Sequence, residues 1–181
     1  MKKLSLKELN RASVAEFKTQ DKTPFVLVLD NVRSALNVGS AFRTSDAFAL
    51  EKIYLCGITA TPPHREILKT AIGATDAVTW EYYTQTTDAI VDLREAGYQI
   101  IGVEQADEKT MLQDFQLDRN AKYALVFGNE VKGVSKEVMQ MLDVCLEVPQ
   151  FGTKHSLNIS VCAGVLVWEF FRQWKYGTNS E

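Results

Sequence analysis

Residues 123–173 read YALVFGNEVKGVSKEVMQMLDVCLEVPQFGTKHSLNISVCAGVLVWEFFRQ, and this stretch decides how the rest of the chain is read. Two short apolar runs, ALVF (124–127) and CLEVP (145–149), each break into a loop of glycine, amide and acid or hydroxyl residues. After each loop the spacing turns helical. Buried strand, polar Gly-containing loop and helix is the unit from which open α/β proteins build ligand crevices at the carboxyl ends of their strands. Two such units follow one another here, and the second runs into a long apolar helix from about residue 156.

Outward from this stretch the same alternation continues towards the N-terminus. PFVLVLD (24–30), KIYLCG (52–57), AVTWEYY (77–83) and YQIIGVE (98–104) read as strands, the first apolar on both faces as a central parallel strand must be. Helices are predicted after the first strand, over ILKTAIGA (67–74), from about Thr86 to Ala96 and over 135–142, with a turn or helical piece at Met111 to Phe115. A further helix over 4–18 is predicted from Leu6, Leu9, Val14 and Phe17. The pattern is an α/β fold with a mainly parallel sheet flanked by helices. It forms one domain over 23–176 behind an N-terminal helical extension, 1–22.

With 181 residues, 46% of them hydrophobic, the chain has enough apolar material for one substantial core. Its net charge of −3 argues against unspecific nucleic-acid binding, but the charge is uneven. Residues 1–43 hold eight Lys or Arg against four acids, a net of +4, which leaves −7 for the remainder. A basic front on an acidic body suits a phosphate-rich partner approaching one face; a solvated amphipathic helix accounts for it equally well. Cys56, Cys145 and Cys162 are far apart in apolar runs, which reads as reduced core thiols rather than disulfides or a metal site. The start, MKKLSLKELNR, has no apolar run behind its lysines, and Ile159 to Trp168 is too short to span a bilayer. The expectation is a cytoplasmic protein without a membrane segment.

Three clusters can carry chemistry. The first, DNVRSALNVGSAFRTSDAF (30–48), leaves the first strand and enters a helix, with Asn37 and Gly39 at its start and Arg43 one to two turns on. An amide there can cap the helix, and free N–H groups can meet an anion. Arg43 alone reads equally as a surface partner of Asp46 or Asp30. The second, GNEVKGVS (128–135), has a G-x-E-x-x-G pattern with Glu130 as its only acid. It is no phosphate-binding P-loop, since no Gly-Lys-Ser/Thr follows. The third, VPQFGTKHSLNIS (148–160), crowds Thr153, Ser156, Asn158 and Ser160 at a helix start. Ser156 or Thr153 can cap that helix, whereas Asn158 on an apolar helix requires hydrogen-bond partners. His155 beside Lys154 reads as solvated. No nucleophile triad and no metal-ligand set is present.

Together these clusters resemble the SpoU (TrmH-like) family of RNA ribose methyltransferases in the SPOUT superfamily. Asn37, Gly39 and Arg43 match N-x-G-x-x-x-R; Gly128, Glu130 and Gly133 match G-x-E-x-x-G. Pro149, Gly152, Ser156, Leu157, Asn158 and Ser160 match P-x-x-G-x-x-x-S-L-N-x-S. The resemblance covers residues 25–173 and implies a C-terminal trefoil knot, although knotted chains are rare. It implies S-adenosylmethionine bound in the knot, mostly by backbone, at Gly128, Val148 and Leu157 and near Gln105. It makes Arg43 the principal catalytic residue, oriented with the ribose by Asn37, Glu130, Ser156 and Asn158, and requires no metal. It also implies a homodimer whose sites are completed across the interface, which fits a final helix almost without a polar face (Val161, Val165, Leu166, Val167, Trp168, Phe170, Phe171).

The chain has no ribosomal-protein-like RNA-binding domain ahead of these motifs and no long basic tail. The family's tRNA-type members use terminal helices instead, so the segment with Lys2, Lys3, Lys7 and Arg11 favours tRNA over rRNA as substrate. A base methyltransferase of another SPOUT branch, or a non-catalytic RNA-binding relative, is the alternative.

Overall fold

The computed structural model describes residues 1–5 and 8–177. Seven strands form one sheet: β1 (Thr23–Asp30), β2 (Leu50–Cys56), β3 (Trp80–Tyr83), β4 (Tyr98–Val103), β5 (Thr110–Met111), β6 (Lys122–Phe127) and β7 (Val144–Glu147). Every pairing is parallel, in the order β3-β2-β1-β6-β4-β7-β5. The helices are α1 (Val14–Thr19), α2 (Ala35–Ala47), α3 (Arg65–Ala71), α4 (Ala74–Ala77), α5 (Thr86–Glu95), α6 (Lys136–Met139) and α7 (Ile159–Tyr176).

Strands β1, β6 and β4 are apolar on both faces, and both faces are covered. Phe25, Leu27 and Leu29 point into one core layer with Phe42 of α2 and Phe170 of α7, whereas Val26 and Val28 pack with Ile90 and Leu93 of α5. Phe170 is held by aromatic neighbours, stacked on Phe115 at 5.3 Å and edge-on to Phe25 at 5.7 Å. Register places Leu29 beside Phe127, Phe127 beside Val103 and Val103 beside Leu146. One row of apolar side chains therefore runs across the carboxyl ends of four strands, where the three clusters emerge.

The expected N-terminal helix over 4–18 is corrected: its part at residues 6 and 7 lies outside the described residues, and the helix present is α1, residues 14–19. Ser13 and Glu16 form a reciprocal capping box that fixes the start there, and only Phe17 reaches the core. Leu9 and Val14 are exposed, so neither supplies the buried apolar contact that a longer helix needs. The helix predicted over 67–74 divides into α3 and α4 because Ile72 and Gly73 take positive φ between them. Helix α6 is a single turn rather than 135–142. The two-residue strand β5 escapes a pattern reading because it is too short to show alternation.

Candidate active site

Asp30, at the end of β1, is buried and accepts from Thr86 Oγ1 at 2.6 Å, Ser135 N at 2.7 Å and Asn31 Nδ2 at 2.8 Å. It thereby ties the first cluster to the start of α6. Asn129 does the same for the second loop: its Nδ2 donates to the Asn31 carbonyl at 2.8 Å, and its Oδ1 accepts from Val131 N at 2.9 Å and Lys132 N at 3.1 Å. Gly133 has φ +69°, and a side chain at Gly128 would collide with the backbone of Gly133 and Val134. The spacing of these two glycines closes the loop tightly enough to present Glu130.

Glu130 reaches across to the start of α2. Its carboxylate accepts from Arg33 N at 2.9 Å, Ser34 N at 3.0 Å and Asn37 Nδ2 at 3.1 Å. The other end of the Asn37 amide, Oδ1, accepts from Asn158 Nδ2 at 3.2 Å. Asn158 Oδ1 in turn accepts from Ser160 N at 2.9 Å and Ser160 Oγ at 2.6 Å, capping α7. One residue from each cluster is thus linked in a single chain, Glu130–Asn37–Asn158. Partial burial opposes the charge on Glu130, but the N–H donors of Arg33, of Glu130 itself and of Ser34, with the Asn37 amide, outweigh it and hold the carboxyl below its ordinary value.

Several expected roles change. Ser34, not Asn37, caps α2, which frees the Asn37 amide to bridge Glu130 and Asn158. Asn158 caps α7 itself, so neither Ser156 nor Thr153 does, and it precedes the helix rather than lying within it. Gly39 serves packing rather than an anion, because a side chain there would strike the Ile67 carbonyl of α3.

Behind this chain opens a cavity of about 720 Å³. Val103, Phe127 and Leu146 of the apolar row line it, as do Gln105, Gly128, Val148, Ser156 and Leu157. Gln105 Nε2 donates to the His155 carbonyl at 2.9 Å, holding the third loop against the segment after β4. Glu104 escaped the sequence reading: its carboxylate accepts from Gln105 N at 2.9 Å and Val134 N at 3.0 Å and stands on the cavity wall. Asp30 and Asn129 were also missed as site builders. An acid or amide at a strand end was their only signal, and each also lies at a matched loop. Cys162, also on the wall, is pushed up to about 11 by burial and is an inert thiol.

Arg43 is not at this cavity. It lies six residues beyond Asn37, roughly 120° around the axis of α2, and lines a separate cleft of about 460 Å³ with Ser40, Thr44, Lys69, Thr70 and Gly164. Among the described residues it makes no hydrogen bond or ion pair, neither with Asp46 nor with Asp30. Eight of the nine anticipated site residues therefore meet within one chain, and the ninth faces elsewhere.

A profile of the SpoU rRNA Methylase family matches residues 24–168. The chain belongs to this family. A putative TrmH family tRNA/rRNA methyltransferase of Staphylococcus saprophyticus is 31% identical over 165 residues, which cover 91% of this chain and 65% of the relative. The 23S rRNA (guanosine-2'-O-)-methyltransferase RlmB of Vibrio parahaemolyticus is 29% identical over 167 residues, covering 92% and 66%. An AdoMet-bound rRNA methyltransferase from Sinorhizobium meliloti superposes with a TM-score of 0.76 at 27% identity, over 84% of this chain and 57% of that one. The chain thus spans less than two thirds of the length of the curated relatives it matches, from 40% to 66%. The SpoU match takes in all of cluster one, with Arg43, and the third cluster through Asn158 and Ser160. Among the described residues no helix is long and apolar enough to cross a membrane.

Proposed function

We propose that this SpoU-family chain is an S-adenosylmethionine-dependent RNA methyltransferase acting on a ribose 2'-hydroxyl. The observation that carries the reading is the Glu130–Asn37–Asn158 chain at the rim of the large cavity. The cavity suits the cofactor: an apolar row for adenine, the Gly128 backbone on its wall, and the Glu104 carboxylate for a sulfonium cation. Gln105, Gly128, Val148 and Leu157 would hold it. Bound there, the cofactor supplies an electrophilic methyl group. A C-terminal trefoil knot accords with the way Gln105 holds the third loop against the segment after β4.

The chain's own residues then orient the hydroxyl and manage its proton. Asn37, Glu130, Ser156 and Asn158 position the ribose and the arginine by hydrogen bonds. Arg43 keeps its proton, so its role is to hold an RNA phosphate and stabilise the developing alkoxide while the hydroxyl proton passes to solvent water. It would do so from a second copy of the chain, since within one chain it lines a cleft apart from the large cavity. The homodimer is supported by Val161, Val165 and Trp168, exposed along one side of α7. Gly164 on the same helix has open space where its side chain would be. A mid-helix glycine costs about 1 kcal/mol against alanine, so close approach by another chain accounts for it. Transfer RNA is favoured over ribosomal RNA, since Lys2, Lys3 and Arg11, ahead of α1, are exposed.

Calorimetry and a methyl-transfer assay on Arg43→Ala test this reading. Cofactor affinity is expected to stay within about twofold while turnover falls by roughly 100-fold or more. Loss of cofactor binding together with activity would remove Arg43 from the chemistry.

A further inference from the structure

Phe151 is 98% exposed, more than any other large hydrophobic side chain of the described residues except Met1. It stands on the segment between β7 and α7, whose Gln150, His155 and Ser156 line the large cavity. That segment is anchored on either side of the cavity mouth, by Gln105 to the His155 carbonyl and by Asn158 to Asn37. The ring itself has no partner among the described residues. Around it the surface is polar and cationic: Thr153, Lys154 and His155 are all exposed. The second loop at the same cavity repeats the arrangement, with Val131 74% exposed and Lys132 next to it.

We infer that Phe151 is a stacking platform for a nucleobase of the RNA whose ribose enters the cavity, an inference that rests on the RNA-methyltransferase reading above. Proteins read single-stranded RNA by laying unstacked bases on aromatic faces beside cations that follow the backbone. A protein partner would instead meet the ring within an apolar patch depleted of lysine, whereas Lys154 stands beside Phe151 and Lys132 beside Val131, and the exposed apolar row of Val161, Val165 and Trp168 lies apart on α7. Stacking tolerates any base, so Phe151 contributes position and affinity rather than a sequence code.

The test compares wild type with Phe151→Ala, Phe151→Leu and Phe151→Trp, using fluorescein-labelled decauridylate and the same backbone with abasic riboses. Wild type should bind the uridylate more tightly than the abasic RNA. Phe151→Ala should lose roughly 5- to 150-fold on the uridylate and little on the abasic strand; Leu should fail to restore the difference. Phe151→Trp should restore it, with its fluorescence quenched by the uridylate. Cofactor affinity by calorimetry and the sedimentation coefficient should be unchanged in all three variants. Equal weakening for both RNAs, no preference in wild type, or a shift in the dimer equilibrium of Phe151→Ala would overturn the assignment. Failure of wild type to bind S-adenosylmethionine would instead strike the underlying reading.

Discussion

Glu130 spends its carboxylate on two backbone N–H groups and the Asn37 amide, so its contribution is to position the start of α2 while leaving Asn37 directed at Asn158. Since its folded value lies below the ordinary 4.5, the stability it adds is complete above that value and is lost as pH falls through the lower folded one. Glu130→Gln turns an acceptor towards those donors with half its oxygens and no charge. Its melting temperature should be below wild type at neutral pH, and the gap should narrow below about pH 4.5. A gap independent of pH would remove the charge from the explanation. Motif spacing identified Glu130, Asn37 and Asn158, because the chemistry of an acid or amide beside glycine shows in one dimension. It did not identify Asp30, Asn129 or Glu104, whose partners lie across loops from distant parts of the chain. It also assigned Gly39 to an anion, because a close approach to the Ile67 carbonyl leaves no mark in the local sequence.

At the scale of elements, the strands followed from their apolar runs, and the long helices α2, α5 and α7 from their spacing. Short pieces were less legible: β5 exists because β7 supplies its hydrogen bonds, and α6 is one turn of the longer helix predicted there. The spacing of Leu9 and Val14 predicts a longer N-terminal helix than α1, but both side chains are exposed and give it no core contact. What defines α1 is the box of Ser13 and Glu16, closed at 2.7 Å and 3.3 Å. Ser13→Ala should therefore cost about 1 kcal/mol and lower the melting temperature by roughly 2–4 °C for a domain of this size. Methyl transfer should be unaffected, since no residue of α1 lines either cavity. Circular dichroism melts in parallel with the transfer assay check this; a loss of activity would show that α1 acts on the site.

The sheet as a whole explains why a site built from residues 30–160 is compact: parallel register brings Leu29, Phe127, Val103 and Leu146 into one row, and the loops after those strands share one edge. Strand order was not legible, because β6 enters between β1 and β4 and no local pattern records which strands become neighbours. In the homodimer proposed above, Arg43 and Asn158 of one site come from different chains. Arg43→Ala and Asn158→Ala chains, each inactive alone, should complement when mixed and allowed to exchange. Half the dimers would then be mixed and one of their two sites intact, giving about a quarter of wild-type activity. No recovery, with exchange verified by mass, would place Arg43 and Asn158 in the same chain's site.

The central claim is the acceptor atom. Incubating the protein with RNA and trideuteromethyl S-adenosylmethionine, then digesting to nucleosides for tandem mass spectrometry, locates the transferred group. The deuterated methyl is expected on the ribose fragment of a 2'-O-methylnucleoside. Label on the base fragment, or no transfer to any RNA fraction while the cofactor binds, would contradict it.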